Sequence, residues 1–568
     1  MKSKKSFCNI SAVLVKRNLK RFWLIPFAAF LAYFIKGVLP LIVKSSKYEN
    51  LRYLTDDALS NHDYVYLGVL MVLPICASIA VFSYLHGNAP ATAMHAMPFS
   101  RKKLYRSSVL SGLIMILLPV LFIGACYAVL LRGDAYELGP EALPSWIIRT
   151  LISAFFVYAV STLAAVVAGS IVTHILLAMF FNGLLPITIY IINRFTYAFL
   201  FGYANSPLAS SILSPVSFER SSYGSFFNGD TLLIYLAYLL FAFILIWCSA
   251  AAYRRLPLEK EGNATVITWL GEIVCILFAF VGTIIFGFFI AYWGGEMINL
   301  LPLLIGSLVS SFLFYIIARM ILEKSLAVFR PTVFKKYTAV LVAVALFFGL
   351  TVFDLTGYTT KVPEAGAVKS VTLDDDFLQT GIFQDSFSSE IILTEKENIQ
   401  NLIEFHRLLV ENKGDLTERS DAPYYFNINY HLNDGKEIKR TYRISMDGQK
   451  TLLDAYGKIF ESREYKHLTL DNIKRAQTSD FRLMDKGGAI LLKKLPDSFM
   501  HKLKDALLED YDAMTFTQAV AIRSKDPDYV LNYTTNYADV PDAVREDVLN
   551  IYKKTCPRVY SLLAETLQ

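Results

Sequence analysis

The sequence lacks the glycine-rich signatures with which a chain binds nucleotides. It contains neither the Gly-x-x-x-x-Gly-Lys-Ser/Thr phosphate loop nor the Rossmann glycine fingerprint. It also lacks a His-Glu-x-x-His motif, and no pair of its eight histidines has metal-ligand spacing beside a third ligand. Such a chain is not expected to capture energy or form a covalent bond by itself. We therefore expect no catalytic residue, no cofactor and no metal.

Cysteine is also scarce, with six among 568 residues, so the chain has no disulfide framework. Four of the six fall inside long apolar runs, which predicts that they are small buried residues: Cys76, Cys126, Cys248 and Cys275. Ser100 and Lys103 formally match a serine–lysine nucleophile pattern, but the companion motifs are missing.

What residues 1–356 contain instead is long apolar sequence. The chain is 54% apolar, and its mean hydropathy of +0.41 is too high for a soluble protein of this length. A helix that crosses a bilayer needs about 20 apolar residues. Nine runs predict nine transmembrane helices, near Phe22–Val43, Tyr64–Leu85, Val109–Leu131, Trp146–Val172, Ile175–Phe201, Thr231–Tyr253, Val266–Tyr292, Leu300–Leu322 and Tyr337–Asp354.

Charge separates the two parts of the chain. Residues 1–360 hold 27 Lys and Arg against 15 Asp and Glu, whereas residues 361–568 hold 28 against 34. Retention of basic residues on the cytoplasmic side of a membrane explains this pattern better than nucleic-acid binding. We therefore expect contact with membrane lipid and none with nucleic acid.

The loops between the runs predict an orientation. With the N-terminus inside, the inner segments hold 18 Lys and Arg and the outer loops hold five. Nine crossings then place the C-terminal part outside the cytoplasm. The fourth and fifth crossings come from one apolar stretch, residues 146–201, which we divide near Gly169–His174, where charge gives no guide.

Two segments beside the spans have their own patterns. In residues 6–21 apolar residues recur at helical spacing before four cations, which predicts an amphipathic helix on the inner leaflet, with a plain charged tail as the alternative. Gly202–Asp230 is rich in Ser, Pro, Gly and aromatic residues and holds three charges. This loop either dips into the outer interface or is an ordinary mobile loop.

The C-terminal part reads as a separate α+β domain. Two alternating runs, Tyr424–Leu432 and Lys436–Ile444, flank Asn433-Asp434-Gly435 and predict a hairpin. Strands are predicted at Val368–Leu373 and Glu390–Leu393, and helices at Glu397–Asn412 and Thr451–Arg463. The remainder, namely Leu495–Asp512, Asp528–Tyr533 and Pro541–Lys554, is predicted to be mostly helical.

Polar residues inside the spans are the remaining candidates for a site, because each is costly in hydrocarbon. Glu272 lies inside the seventh run, and Asn182, Asn193 and Arg194 lie along the fifth, which Pro186 kinks. They mark a candidate substrate path, or they hold helices together. Lys36 and Arg149 lie near outer ends of spans and are expected to snorkel.

The loop between the second and third runs contains the most specific motif. It reads Met97-Pro98-Phe99-Ser100-Arg101-Lys102-Lys103-Leu104. This resembles the coupling loop of type-2 ABC exporter permeases, a family in which Leu is usual where Met97 stands. The resemblance implies a short helix, started by Pro98, that docks on a separate ATPase subunit. Phe99 and Leu104 would be its apolar anchors.

The resemblance also implies an architecture, that of the Gram-positive subgroup with a large extracytoplasmic C-terminal domain. Residues 1–21 would form a cytoplasmic interfacial helix, 22–253 a six-helix permease core, 254–356 three added helices, and 357–568 the outer domain. ABC ATPase subunits with their ATP, and a second permease subunit, would be the partners in the cell membrane. The alternative is a membrane-anchored sensor or assembly protein without transport.

Overall fold

The architecture is taken from a computed structural model, and helices and strands are numbered in chain order. The described residues are 10–44, 55, 58–59, 63–131, 140–204, 211–221, 226–255, 268–292, 300–323, 325–375, 383–384, 391–414, 416, 424–445, 449–466, 482–485, 490–492, 497–522, 528–536 and 544–567. Residues 1–9, which begin the predicted interfacial helix, lie outside them.

The chain folds into two compact units. The helical unit comprises Met1–Phe195 and Ser206–Phe347, and the mixed unit comprises Thr196–Asn205 and Phe348–Gln568. The mixed unit therefore begins before the predicted boundary at residue 357. It also takes Thr196–Asn205, which is the end of the fifth apolar run and the residues after it.

The helical unit is built from long helices joined by short connections. In chain order they are α1 (Ala12–Arg21), α2 (Leu24–Tyr33), α3 (Leu39–Lys44), α4 (Tyr64–Phe82), α5 (Asn88–His95), α6 (Arg101–Leu130), α7 (Ala142–Val167), α8 (Ile171–Met179), α9 (Leu185–Phe199), α10 (Pro215–Ser221), α11 (Gly229–Arg254), α12 (Thr268–Tyr292), α13 (Leu300–Glu323) and α14 (Pro331–Thr351). A π turn joins α2 to α3 and another joins α8 to α9. The last residues of α9 and α14 belong to the mixed unit.

Eight helical stretches among the described residues are long and apolar enough to cross a membrane. The predicted fifth span differs from them because it is broken. Its halves, Ile171–Gly183 and Pro186–Phe199, meet at an angle of 49°, and they form a ninth span if they cross together. Pro186 removes a backbone donor beside the π turn, which accounts for a bend at this position.

Helix α7 lies at the centre of the helical unit, packed against α4, α6 and α11. Half of its buried positions are Ser, Thr or Ala, including Thr150, Ser153 and Ser161. Small residues let neighbouring backbones approach closely, which is how helices pack in a membrane. The larger Tyr158 fits because its hydroxyl donates to Val109 O on α6 at 3.1 Å.

The mixed unit contains two antiparallel sheets. Its strands are β1 (Val368–Asp375), β2 (Phe383–Gln384), β3 (Ile391–Leu393), β4 (Tyr424–Leu432), β5 (Glu437–Ile444), β6 (Arg482–Asp485), β7 (Ile490–Leu492), β8 (Tyr529–Asn536) and β9 (Val544–Ile551). The sheet orders are β3-β1-β4-β5 and β2-β9-β8-β6-β7. Its helices are α15 (Lys396–Glu411), α16 (Lys450–Phe460), α17 (Asp497–Ala513), α18 (Phe516–Ile522) and α19 (Pro557–Leu567).

The first sheet agrees with the sequence predictions. β4 and β5 form the predicted hairpin, and Gly435 in its turn has φ +82°, a conformation that favours glycine. Alternate residues of β4, such as Phe426 and Ile428, are fully buried. α15 and α16 contribute Leu402, Phe405 and Tyr456 to the same core.

The predicted helices at Asp528–Tyr533 and Pro541–Lys554 are wrong. Both segments contain strands, since β8 pairs with β9 along eight residues in antiparallel register. Val544-Arg545-Glu546-Asp547 is rich in charge and favours a helix locally. Pairing with a partner strand overrides that local preference, because β propensity depends on context.

Candidate functional site

The motif loop has a different local structure from the one predicted. The prediction that a short helix starts at Pro98 is wrong. Residues 97–98 form a bend, and α6 begins only at Arg101. Ser100 is the N-cap, and its hydroxyl accepts from Lys103 N at 3.3 Å. The short helix in this loop is α5, which ends at His95, before the motif.

The two predicted anchors are not exposed. Leu104 is only 2% exposed and belongs to the core of the helical unit, and Phe99 is half-buried against that core. Lys103 lies over the Phe99 ring at 5.5 Å. The exposed residues of the motif are Pro98, Ser100 and Lys102. A partner that docks here therefore meets a polar, basic surface.

Hydrogen bonds join this loop to the ends of three long helices. The Tyr253 hydroxyl on α11 lies 3.2 Å from His95 Nε2 on α5. It also lies 3.0 Å from the hydroxyl of Tyr84, a residue just after the end of α4. Tyr105 on α6 bonds to Ile246 O at 3.0 Å and to the Ser249 hydroxyl. The loop is thus fixed to α4, α6 and α11 together.

Helix α1 packs on the start of α6. Ser11 N donates to Ser107 Oγ at 2.8 Å, and the Asn18 amide donates to Ser111 Oγ at 3.2 Å. Leu14 is buried, whereas Val13, another apolar residue of the pattern predicted for residues 6–21, is 74% exposed. The buried side of α1 therefore packs against α6.

The four candidate substrate-path residues are in different surroundings. Asn182 lies in the π turn, where its amide donates to Ser161 Oγ at 3.2 Å and Ala178 O at 2.8 Å. Asn193 is half-buried on α9, and Arg194 is exposed. Glu272 lies on α12, where its contacts are with ions of α13 and α14. The partners of Asn182 and of Glu272 are different residues, and neither is bonded to the other.

Glu272 is the centre of an ion cluster. Its Oε1 lies 2.7 Å from Arg319 Nη1 on α13 and 2.7 Å from Lys336 Nζ on α14. Arg319 also pairs with Glu323 at 2.9 Å. These contacts join the three added helices, so Glu272 is placed to hold helices together. No local pattern predicts a partner for Glu272, since Arg319 lies in a different apolar run.

A second ion pair in the helical unit is not predicted by the sequence pattern. Arg149 on α7, predicted to snorkel, instead donates to Glu219 Oε2 at 2.6 Å, and Glu219 is fully buried. Tyr235 donates to Glu219 Oε1 at 2.5 Å, and Ser153 donates to it at 3.3 Å. Glu219 lies on α10, so the pair draws this short helix of the 202–230 segment into the helix bundle.

An apolar cavity of about 340 Å³ lies in the helical unit between α8, α12 and α13. Thr173 and Cys275 are among its lining residues, with Leu177 and Phe278. Burial raises the cost of any unpaired polar group placed here. This cavity has the chemistry to accept an apolar chain and lacks a charged group at its wall.

The mixed unit buries a histidine between two tyrosines. His406 is fully buried, with Nδ1 2.9 Å from the Tyr430 hydroxyl and Nε2 2.6 Å from the Tyr442 hydroxyl. Burial, with a smaller contribution from nearby Arg440, lowers the pKa of His406 to about 3. A neutral imidazole has one donor and one acceptor, which these two hydroxyls satisfy.

Residues after α9 extend the first sheet of the mixed unit. Tyr203 pairs with Arg440 as an antiparallel bridge, and Thr441 N donates to Gly202 O at 3.3 Å. Phe201 packs against Tyr442 with ring centroids 5.0 Å apart. Arg440 in turn lies over the Tyr358 ring at 4.0 Å. The edge strand β5 is thus covered by a segment from far upstream.

Within the described part of the chain, no three His, Cys, Asp or Glu side chains are grouped so that they could hold a metal ion. The chain was compared with family models, with curated proteins and with solved structures, and none of them matches it.

Proposed function

We propose that this chain is the integral-membrane permease subunit of an ABC transporter and exports its substrate. The observation that carries the proposal is the loop 95–104, an exposed basic surface fixed to the ends of α4, α6 and α11. A push on this loop by a nucleotide-driven partner would move three helices together. The motif resemblance supports the same assignment and supplies the direction of transport.

The energy would come from another polypeptide. ABC ATPase subunits would bind ATP, dock on the loop from the cytoplasm and close against each other, and a second permease subunit would complete the pathway. Because Phe99 and Leu104 face inward, the docking contacts fall to Pro98, Ser100 and Lys102. Arg101 has another task, since its Nη1 donates to Arg254 O at 3.3 Å.

The proposed location is the cell membrane, with the N-terminus in the cytoplasm and the mixed unit outside. The asymmetry of Lys and Arg between loops supports this orientation. Pairing of residues 202–203 with β5 supports it too, because the ends of the fifth and ninth spans must then lie on one side. Cysteine accessibility at introduced sites on α15 checks the placement, and labelling from the cytoplasm only would contradict it.

The direct test is purification of the tagged chain from its native membranes. We expect an ATPase subunit with a Walker phosphate loop to be recovered by mass spectrometry, together with ATP hydrolysis. The double variant Pro98→Ala with Lys102→Glu is expected to lose both. The control is Lys335→Glu, an exposed basic position near the start of α14 on the same predicted side. Equal recovery in all three proteins would contradict the coupling loop.

A membrane-anchored sensor or assembly protein is the second candidate. The observation that favours it is that the mixed unit includes both the residues after α9 and the residues after α14. A ligand that binds the mixed unit could therefore act on two membrane helices. Reconstitution of the chain in vesicles distinguishes a sensor from a permease. A sensor would give no ATP-dependent transport in vesicles even with the recovered ATPase present, whereas a permease would.

A further inference from the structure

A cleft at the inner ends of α6 and α11 has two chemically distinct ends. Its volume is about 340 Å³, and its wall includes Lys102, Arg106 and Arg254 at one end. Phe243 and Trp247 lie along the rest of the wall. The cleft is therefore cationic at its mouth and apolar along its length.

The three cations are placed to act together. Lys102 and Arg106 are four residues apart on α6, so they share one helix face. Arg254 ends α11, and its carbonyl oxygen accepts from Arg101 Nη1 at 3.3 Å, which holds that helix end beside the start of α6. All three side chains are exposed, and the residues that line the cleft include no Asp or Glu. Converging cations of this kind bind phosphate oxygens.

The apolar part has the length of one membrane leaflet. At the helical rise, Phe243 lies about 16 Å along α11 from Arg254, close to half of a hydrocarbon core of about 30 Å. Its side chain is 57% exposed, and that of Trp247 is 72% exposed. Tryptophan with basic residues beyond it is typical of a membrane interface.

We propose that this cleft binds one anionic phospholipid of the inner leaflet. The headgroup phosphate is held by Lys102, Arg106 and Arg254, and one acyl chain lies against Phe243 and Trp247. A soluble phosphate would contact only the cations and would leave the apolar wall uncovered. An acidic protein partner docking from the cytoplasm would reach the cations but not Phe243. The inference requires membrane insertion and does not require an ATPase.

Fluorescence quenching tests this site on the full chain in phosphatidylcholine bilayers. The signal of Trp247 is the difference between the chain and its Trp247→Phe variant. Brominated phosphatidylglycerol is expected to quench Trp247 at a much lower mole fraction than brominated phosphatidylcholine does. Each cation contributes about a factor of five, so the variant Lys102→Gln, Arg106→Gln, Arg254→Gln is expected to lose about 100-fold in preference.

The matched control is Arg255→Gln, an exposed neighbour of Arg254 that does not line the cleft, and it is expected to keep the preference. Unchanged quenching by brominated phosphatidylcholine in the triple variant shows that α11 is still in the bilayer. Equal quenching by both lipids in the unmodified chain would overturn the proposal. So would loss of the preference on adding glycerol 3-phosphate, which would assign the cations to a soluble phosphate. Lys102 also belongs to the proposed docking surface, so the pair Arg106→Gln with Arg254→Gln, which keeps Lys102, separates the two proposals: it is expected to lose about 25-fold in lipid preference and to leave recovery of the ATPase unchanged.

Discussion

The helical unit and the mixed unit are packed by opposite arrangements of polarity. On α7 the buried positions include Ser145, Ser153 and Ser161, while large apolar side chains such as Leu240 on α11 are exposed. In the mixed unit the core is mainly Leu, Ile, Phe and Tyr, of which Phe426 is typical, beside a few buried polar residues such as His406. A water-soluble unit hides its apolar side chains, whereas helices in lipid gain most from close backbone contact.

This difference indicates the solvent in which each unit is stable. The exposed apolar face of the helical unit would be a severe liability in water, because large exposed apolar patches associate. It is the expected face of a protein surrounded by hydrocarbon. The comparison therefore supports a multi-pass membrane protein with one water-exposed unit, independently of any motif.

The largest expected effect comes from breaking the buried ion pair of the helical unit. Arg149→Ala leaves Glu219 charged with no cation beside it, and we expect a loss of about 3–5 kcal/mol in the free energy of unfolding. Unfolding by SDS in mixed micelles measures the loss. Replacing both residues with Met is expected to recover most of it.

The matched control for this pair is Lys436→Ala in the mixed unit, which removes an exposed ion pair with Asp434. It is expected to leave unfolding unchanged. If Arg149→Ala were as harmless as this control, the buried pair would not hold α10 in the bundle.

The next effect compares one exposed position in each unit. Leu240 lies near the middle of α11 and is 64% exposed, and Ile392 on β3 is 49% exposed. We expect Leu240→Lys to cost about 3 kcal/mol of membrane insertion and Ile392→Lys to stay within about 0.5 kcal/mol of folding. A glycosylation-based insertion assay measures the first, and urea unfolding the second. Equal tolerance at both positions would remove the difference between the units.

A smaller effect follows from pH and belongs to the mixed unit. His406 in the folded state has a pKa of about 3, below that of an unfolded histidine near 6.5. The unfolded state therefore binds a proton first, and stability is complete above pH 6.5 and falls as pH decreases towards 3. We expect a loss of about 2 kcal/mol between pH 6.5 and 5.

Hydrogen exchange of β4 and β5 in the full chain, corrected for the intrinsic rate, measures this loss. The exposed His501→Gln variant serves as control and is expected to keep the pH dependence. His406→Gln is expected to remove it, and a dependence that survives in His406→Gln would assign it to other groups.

The smallest effect concerns the junction after α9. Gly202 has φ +76°, and a Cβ built there would lie 2.7 Å from the Tyr442 hydroxyl oxygen. We expect Gly202→Ala to cost about 1–2 kcal/mol, seen as faster hydrogen exchange at Thr441. Gly366→Ala, where nothing lies within 4 Å, is the control. Unchanged exchange in both variants would show that the segment is not held at β5.

The sequence predicts features that depend on local pattern. Apolar length locates eight spans, and the hairpin follows from alternation around Asn433-Asp434-Gly435. Pairing across distance is not local. Nothing near Glu219 indicates that Arg149, in another run, is its partner, and nothing near Val544 indicates that β8 will pair with β9.

The candidate site shows the same division. The basic loop and its exposure follow from the motif, but the inward position of Leu104 depends on the packing of α4 and α6. Ser100 competes with Pro98 as the start of the helix and prevails as N-cap, because its hydroxyl accepts a backbone donor of the first turn. Asn182 and Glu272 are both costly in hydrocarbon, but that shared cost does not predict that they lie together, and each has other partners.

The segment Thr196–Asn205, which includes the end of α9, has a practical consequence for anyone who wishes to isolate the mixed unit. A fragment cut at residue 357 would leave β5 bare, with Thr441 N deprived of Gly202 O as its acceptor. Open strand edges recruit strands from other molecules and lead to aggregation. Residues 196–205 would have to be supplied, either as a peptide or spliced onto the fragment, before the excised domain behaved as a monomer.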